Sequence, residues 1–295
     1  MLSLLESDSI CAEYSDEIFT EAFLIALTHA RKSALILDFD GTLAPFEIDP
    51  SSVRPWPGIA ELLQQIQGSN RSHPAVVTGR PALDVRRLLL VRVPPDIWSV
   101  HGAERLHQDG KLEREELPSA DTLALIGARE LLQSIQLPQG IRIENKWNAV
   151  ALRWRSISRR LSHVTSEYVE YLLFPFTSNS GLQLFPFDGG MELRTGHNKG
   201  DADCRLLKEL PGNALVAYLG DDATDEYAFQ ALQGRGLCML VRPRWRPAMH
   251  IFSSVRPHNS VASWLHGRRH SGKNRIIFPS QFVRMTYFCP SSLFR

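Results

Sequence analysis

Cysteine is scarce in this 295-residue chain: its four copies, Cys11, Cys204, Cys238 and Cys289, are scattered and form no Cys-x-x-Cys pair. That usage suits a reducing compartment better than a disulfide framework or a cysteine zinc site. Long apolar runs are missing too, none approaching the ~20 residues that a membrane-spanning helix needs. The opening residues, Met1-Leu2-Ser3-Leu4-Leu5-Glu6-Ser7-Asp8, lack the basic start of a secretory signal. Net charge is only +1, so bulk electrostatics gives no case for a nucleic-acid partner. No internal repeat and no low-complexity linker interrupts the chain. These absences predict a cytoplasmic protein, expected to be a monomer, with neither a nucleic-acid nor a membrane partner.

The small net charge conceals an asymmetry. From Gly267 onward the chain carries Arg268, Arg269, Lys273, Arg275, Arg284 and Arg295 and no acid. Taking those six from the 33 basic residues leaves 27 against 32 acids, a net of −5 for the rest. Residues 267–295 show no hydrophobic period and are expected to be a disordered basic tail.

What is present is an ordinary globular composition, 43% hydrophobic and 22% charged, arranged in a legible order. A helical pattern near Ile18 to Ala30 leads to the apolar run Ala34 to Leu37, which reads as a strand buried on both faces. A helix over Ile59 to Gln67, a strand over Ala75 to Val77, a helix over Ala82 to Leu90 and a strand over Ile97 to Val100 follow. That alternation predicts a doubly wound parallel α/β sheet. Between Leu106 and Leu193 the pattern changes to α+β. Short alternating strands (Lys111 to Glu115, Arg142 to Glu144, Ala149 to Trp154, Leu182 to Phe185, Met191 to Arg194) enclose helices near Asp121 to Ile135 and Ile157 to Leu173. The first pattern then resumes with a helix near Ala202 to Leu210, the strand Leu215 to Leu219 and a helix near Asp225 to Leu232. The expected organisation is a discontinuous α/β core, residues 1–105 and 195–266, interrupted by a smaller α+β domain, residues 106–194.

Four segments placed directly after these strands carry the chemistry. Asp38-Phe39-Asp40-Gly41-Thr42-Leu43 sets two carboxylates two residues apart at a strand end, where the active groups of open α/β sheets gather. One carboxylate can attack phosphorus while the other handles a proton, with a divalent cation relieving their repulsion; an acidic turn after a core strand is the plain alternative. Thr78-Gly79-Arg80 offers a hydroxyl and backbone N–H groups to phosphate oxygens, or simply a capped turn. Lys199, at the start of a predicted helix, can screen an anion there or sit in solvent. Gly220-Asp221-Asp222-Ala223-Thr224-Asp225-Glu226 packs four acids into six positions, a set of hard oxygens suited to Mg²⁺ or a solvated helix start.

In this order the four segments resemble the haloacid dehalogenase superfamily of phosphotransferases. The resemblance implies Asp38 as nucleophile and Asp40 as general acid/base. It implies Thr78, Gly79 and Lys199 as phosphate-binding. Asp38, Asp40 (through its backbone carbonyl) and Asp221 would hold Mg²⁺, with Asp222 and Asp225 supporting the metal directly or through water. The finer sequence is similar to the trehalose-6-phosphate phosphatase family, on Leu37 to Pro45, Thr78-Gly79-Arg80, His101-Gly102-Ala103-Glu104, Glu144 to Asn148, Met191 to Arg194, Asn198-Lys199-Gly200 and Gly220 to Glu226. It runs from about Arg31 to Leu265. It implies a small phosphorylated disaccharide as substrate, an aspartyl-phosphate intermediate and a cap inserted between the second and third motifs. Lys146, Arg155 and Glu192 of the cap, with Arg80, His101 and Glu104 at the core edge, are the implied sugar contacts. Thr78 stands where that family usually has Ser, and Arg153-Trp154-Arg155 where it usually has His-Tyr-Arg. Phosphatases of other sugar phosphates (sucrose-, glucosylglycerol- or mannosylglycerate-type), a phosphomutase and a non-catalytic regulator are the other readings.

Overall fold

Ser33–Leu37 (β1) has no polar side chain after its first residue and is buried throughout, as a strand with helices on both faces must be. It lies at the centre of an eight-stranded sheet. The structure, a computed structural model, describes residues 23, 25–27, 29–47, 49–154, 157–187, 189–241 and 252–254. The basic tail, Cys11, Cys289 and Arg155 lie outside those residues, as do Ile18 and Ala22 of the expected first helix.

Along the chain β1 is followed by α1 (Ile59–Gly68), β2 (Ser72–Val77), α2 (Ala82–Leu89), β3 (Asp96–Ser99), β4 (Glu104–Leu106) and β5 (Leu112–Arg114). Then come α3 (Ser119–Ser134), β6 (Arg142–Lys146), β7 (Ala149–Arg153), α4 (Arg159–Leu173), β8 (Leu182–Phe187) and β9 (Gly190–Thr195). The series ends with α5 (Lys199–Glu209), β10 (Leu215–Gly220), α6 (Glu226–Ala231), β11 (Gly236–Val241) and β12 (Phe252–Ser254).

Two compact units divide the chain, one ending at Glu113 and resuming at Asn198, the other Arg114–His197. The large sheet runs β12-β11-β10-β1-β2-β3-β4-β5. Its pairings from β12 to β3 are parallel, and β3 with β4 is antiparallel. Strand order therefore reverses at β1, which pairs with β2 on one side and β10 on the other. A crevice opens at such a switch point beyond the carboxyl ends of the strands.

Helices cover both faces. Leu35, Leu37, Val76, Ile97, Leu219 and Met239 meet Ile59, Leu62, Leu63 and Ile66 of α1 and Val85, Leu88 and Leu89 of α2. The alternate residues Ile36, Val77, Trp98, Val216, Tyr218 and Leu240 meet Ala202 and Leu206 of α5 and Ala228 and Phe229 of α6. Truncating one of these fully buried aliphatics to alanine costs about 2–5 kcal/mol.

The second unit is a four-stranded antiparallel sheet, β6-β7-β9-β8, with α3 and α4 packed on one face through Leu125, Leu132, Val169, Leu173, Val150, Leu152 and Leu193. Pairing puts Glu144, Lys146, Ala149, Ala151, Glu192 and Arg194 together on the opposite face.

Three expectations shift. The strand expected over Lys111 to Glu115 joins the large sheet as β5, so the limits of the second unit, 114–197, differ from the expected 106–194. β2 begins three residues before the expected Ala75 and includes Pro74. A proline is tolerated there because β3 pairs with β2 only from Ala75 onward, so that flank needs no donor from residue 74. β4, of only three residues, and β11, a short apolar run that periodicity alone leaves ambiguous, were not anticipated. Among the described residues no helix is long and apolar enough to cross a membrane.

Candidate active site

The two strands flanking the switch point, β1 and β10, deliver the acids. After Leu37 the chain turns tightly: Leu43 and Ala44 N–H both donate to the Phe39 carbonyl at 3.0 Å, and Gly41 N–H donates to Ala44 O at 2.7 Å. Gly41 has φ +85°, and a Cβ there would stand 2.2 Å from Asp221 Oδ2, so only glycine lets this turn approach the β10 acid. Asp38 and Asp221 are thereby both buried beside one another.

Lys199 binds them into a network. It opens α5 behind a capping box in which Asn198 Oδ1 accepts from Gly200 N–H and Asp201 accepts from Asn198 N–H. Its Nζ donates to Asp38 Oδ1 at 2.6 Å and to Asp225 Oδ1 at 2.7 Å. Asp225, fully buried, also accepts from the Tyr218 hydroxyl on Oδ1 at 2.6 Å, and from Asp221 and Asp222 N–H on Oδ2 at 2.9 and 2.8 Å. Four donors fill the four acceptor positions of that carboxylate. Asp225 therefore braces the Gly-Asp-Asp turn and Lys199. Asp222 Oδ1 caps the same turn at Ala223 N–H, 2.6 Å.

The charge balance is negative. Burial raises Asp38 well above the usual carboxylate range, reinforced by Asp225 and Asp221 and opposed by Lys199. Burial, then Asp225, pushes Asp221 up to about 7. Burial alone would lower Lys199, but Asp225 and Asp38 raise it, so it stays charged. One cation faces three carboxylates, and Asp38 Oδ2 and Asp221 Oδ1 are buried with no hydrogen-bond donor. Oxygens of Asp38, Asp221 and Asp225 lie within 4.8 Å of one another. A divalent cation fits the two donor-free oxygens, Asp38 Oδ2 and Asp221 Oδ1: hard carboxylate oxygens held at one point, with Asp225 bracing them.

Thr78 follows β2 and is buried; its Oγ1 accepts from Arg80 N–H at 3.1 Å, and its carbonyl accepts from His101 N–H at 3.0 Å. His101 and Val100 hold left-handed φ of 60° and 50°, costly for residues with side chains, and the imidazole packs over Gly79, where a Cβ would stand 2.7 Å from Nε2. Asp40 accepts a forked pair from Arg80. Glu104 turns inward instead of presenting itself at the edge: Oε1 accepts from Ala82 N–H at 3.0 Å, capping α2, and from Ser99 Oγ at 2.8 Å.

In the second unit Lys146 Nζ contacts Glu192 Oε1 at 2.7 Å, both buried, with Arg194 Nε 3.4 Å from Glu192 Oε2 and its guanidinium 3.6 Å from the centre of the Phe185 ring. Tyr218 and Arg194 were not singled out from the sequence. A tyrosine in an otherwise aliphatic strand, three residues before Asp221, was the available signal for the first.

A reversed-order parallel sheet with an aspartate pair beyond its central strand, a lysine opening the helix that leads into the neighbouring strand and an acidic turn after that strand defines a haloacid-dehalogenase-like fold. Solved structures agree. The chain resembles a trehalose-6-phosphate phosphatase related protein with a TM-score of 0.62 at 24% identity, covering 79% of this chain and 95% of that one. It resembles the C-terminal domain of C. albicans trehalose-6-phosphate phosphatase with a TM-score of 0.71 at 18% identity, covering 83% and 94%. In sequence it is 32% identical over 226 residues to trehalose-phosphate phosphatase of Mycobacterium bovis, 72% of this chain and 54% of that protein. To the Mycobacterium leprae protein of the same name it is 30% identical over 236 residues, 77% and 53%. The chain thus spans about half the length of these relatives. The trehalose-phosphatase family model matches residues 36–255, and the chain belongs to that family.

Proposed function

We propose that this protein hydrolyses trehalose 6-phosphate to trehalose and inorganic phosphate in the cytoplasm, through a phosphorylated Asp38. The observation that carries the reading is the ion-paired cluster itself: Lys199 tied to Asp38 and Asp225, beside an Asp221 that shares the crevice. The family and the names of the mycobacterial relatives support the substrate.

Asp38 attacks phosphorus, displacing the sugar oxygen, to which Asp40 gives a proton. Water then attacks the phosphorylated Asp38, and Asp40 takes the proton. Lys199 orients Asp38 and offsets its repulsion from the phosphate dianion, while Thr78 Oγ1 and the Gly79 N–H bind phosphate oxygens. Mg²⁺, held by Asp38, Asp221 and the Asp40 carbonyl, would neutralise phosphate charge. Asp222 and Asp225 serve by holding the turn that presents Asp221. The unit Arg114–His197 acts as the cap, its charged sheet face with Lys146, Glu192 and Arg194 supplying donors and acceptors for sugar hydroxyls.

The test is phosphate release with Mg²⁺ from a panel of sugar phosphates: trehalose, sucrose, glucosylglycerol and mannosylglycerate types. The expected result is highest kcat/KM on trehalose 6-phosphate and loss of turnover in Asp38→Asn. A different best substrate overturns the sugar assignment, an isomerised sugar phosphate with little free phosphate makes the protein a mutase, and full turnover by Asp38→Asn removes the covalent route.

A further inference from the structure

Arg80 was expected among the sugar contacts, yet its guanidinium is committed elsewhere. Nε donates to Asp40 Oδ2 at 2.6 Å and Nη2 to Asp40 Oδ1 at 2.7 Å, a two-pronged pair. Nη1 donates to the carbonyl of Pro50 at 2.7 Å, and the guanidinium carbon stands 5.4 Å from the centre of the Phe39 ring. The side chains of Arg80 and Asp40 are 13% and 27% exposed, so the pair is largely sheltered. The Pro50 carbonyl and the Phe39 ring further restrict the orientation of the fork. A fork fixes the plane of the carboxylate it holds as well as its distance, which a lysine cannot do. Both oxygens of Asp40 are acceptors in this arrangement. It suits the half of the reaction in which Asp40 takes a proton, since a carboxylic acid would lose one acceptor position to its own O–H.

We propose that Arg80 is a positioning residue for the second half-reaction, holding Asp40 as the proton acceptor for the water that hydrolyses phosphorylated Asp38. The proposal rests on the phosphatase reading above. In that step the water oxygen bonds to phosphorus while the bond from phosphorus to the Asp38 oxygen breaks. The bonding pair leaves with Asp38 as a carboxylate, the water's proton passes to Asp40, and inorganic phosphate departs. In the first half-reaction Asp40 instead gives a proton to the departing sugar oxygen, so the fork has to open there. Arg80 therefore acts on hydrolysis of the phosphoenzyme and hardly on its formation.

Ping-pong kinetics separates this from the other roles. Wild type, Arg80→Gln, Arg80→Lys and Arg80→Ala are compared with Mg²⁺ on trehalose 6-phosphate and on p-nitrophenyl phosphate, after circular dichroism has confirmed that each is folded. Slowed hydrolysis lowers kcat and KM together, roughly 10- to 100-fold, the range of a weakened general base, and leaves kcat/KM intact. Product release, of trehalose or p-nitrophenol, then begins with a burst approaching one per active site. Arg80→Lys behaves like Arg80→Gln, and added guanidinium restores part of kcat to Arg80→Ala. A raised KM for trehalose 6-phosphate, with p-nitrophenyl phosphate unaffected, makes Arg80 a sugar contact and overturns the proposal. A lower kcat at constant KM without a burst makes it structural and overturns it equally. A wild-type protein that releases phosphate from neither substrate overturns the phosphatase reading itself.

Discussion

Lys199 Nζ lies 2.6 Å from Asp38 Oδ1, a contact that joins residues 161 positions apart. Both side chains are only 4% exposed. A buried ion pair of this kind is weak evidence of net stability, because desolvation offsets much of the attraction. What it does enforce is dependence of each partner on the other.

Removing the cation alone is therefore severe. Lys199→Met leaves Asp38 and Asp225 buried without their shared donor, and about 3–5 kcal/mol of unfolding free energy is lost, with phosphate release abolished. Urea denaturation and a phosphate assay on the same preparation check both.

The raised Asp221 gives a pH dependence of defined sign. Its folded value of about 7 lies above its ordinary 3.8, so the native state binds the extra proton. Its contribution to stability is full below about pH 4 and disappears as pH rises through about 7. Without divalent cation, wild type therefore loses stability relative to Asp221→Asn across that window. Adding Mg²⁺ at pH 7.5 restores it to wild type and not to the variant. Denaturation curves at a series of pH values give the difference directly; parallel curves for the two proteins would contradict the assignment.

Asp221 and Asp225 are expected to fail differently. Asp221→Asn raises the Mg²⁺ concentration needed for half-maximal turnover. Asp225→Asn replaces an acceptor oxygen with an amide donor facing Lys199 or two backbone N–H groups, so it lowers the melting temperature first. Magnesium titrations of activity, set beside thermal melts, separate a ligand from a brace.

Gly41→Ala places a methyl group 2.2 Å from Asp221 Oδ2, a clash, and forces an alanine to a φ of +85°. Turnover is lost while the fold, whose core lies on the sheet faces, remains. Activity and circular dichroism together read this out.

Glu104→Gln keeps an acceptor for Ala82 N–H and Ser99 Oγ, so KM for the sugar phosphate stays unchanged. Glu104→Ala removes both and destabilises by about 1–3 kcal/mol, again with KM unchanged. A raised KM in either variant would return Glu104 to the sugar site.

Much of the core was legible because its signals are local. β1, α1, α2, α3 and β10 show themselves through unbroken apolar runs or helical periods, and a carboxylate pair directly after an apolar run announces a strand-end site. β4 and the membership of β5 were not legible, since three-residue strands carry too little pattern and sheet membership is decided by distant partners.

The sequence by itself determined the alternation of the longer strands and helices and the four acidic, hydroxyl and basic segments, because each depends on neighbours within a few residues. Only the tertiary structure decided what those groups do to one another. Strand reversal at β1 brings Asp38 beside Asp221, the burial of Lys199 links Asp38 to Asp225, and four donors turn Asp225 from a candidate ligand into a brace. Arg80 changed most. Its charge was visible in the sequence, but its partner was not, because a forked pair is set by the approach of the loops after β1 and β2, which the parallel register of the two strands fixes.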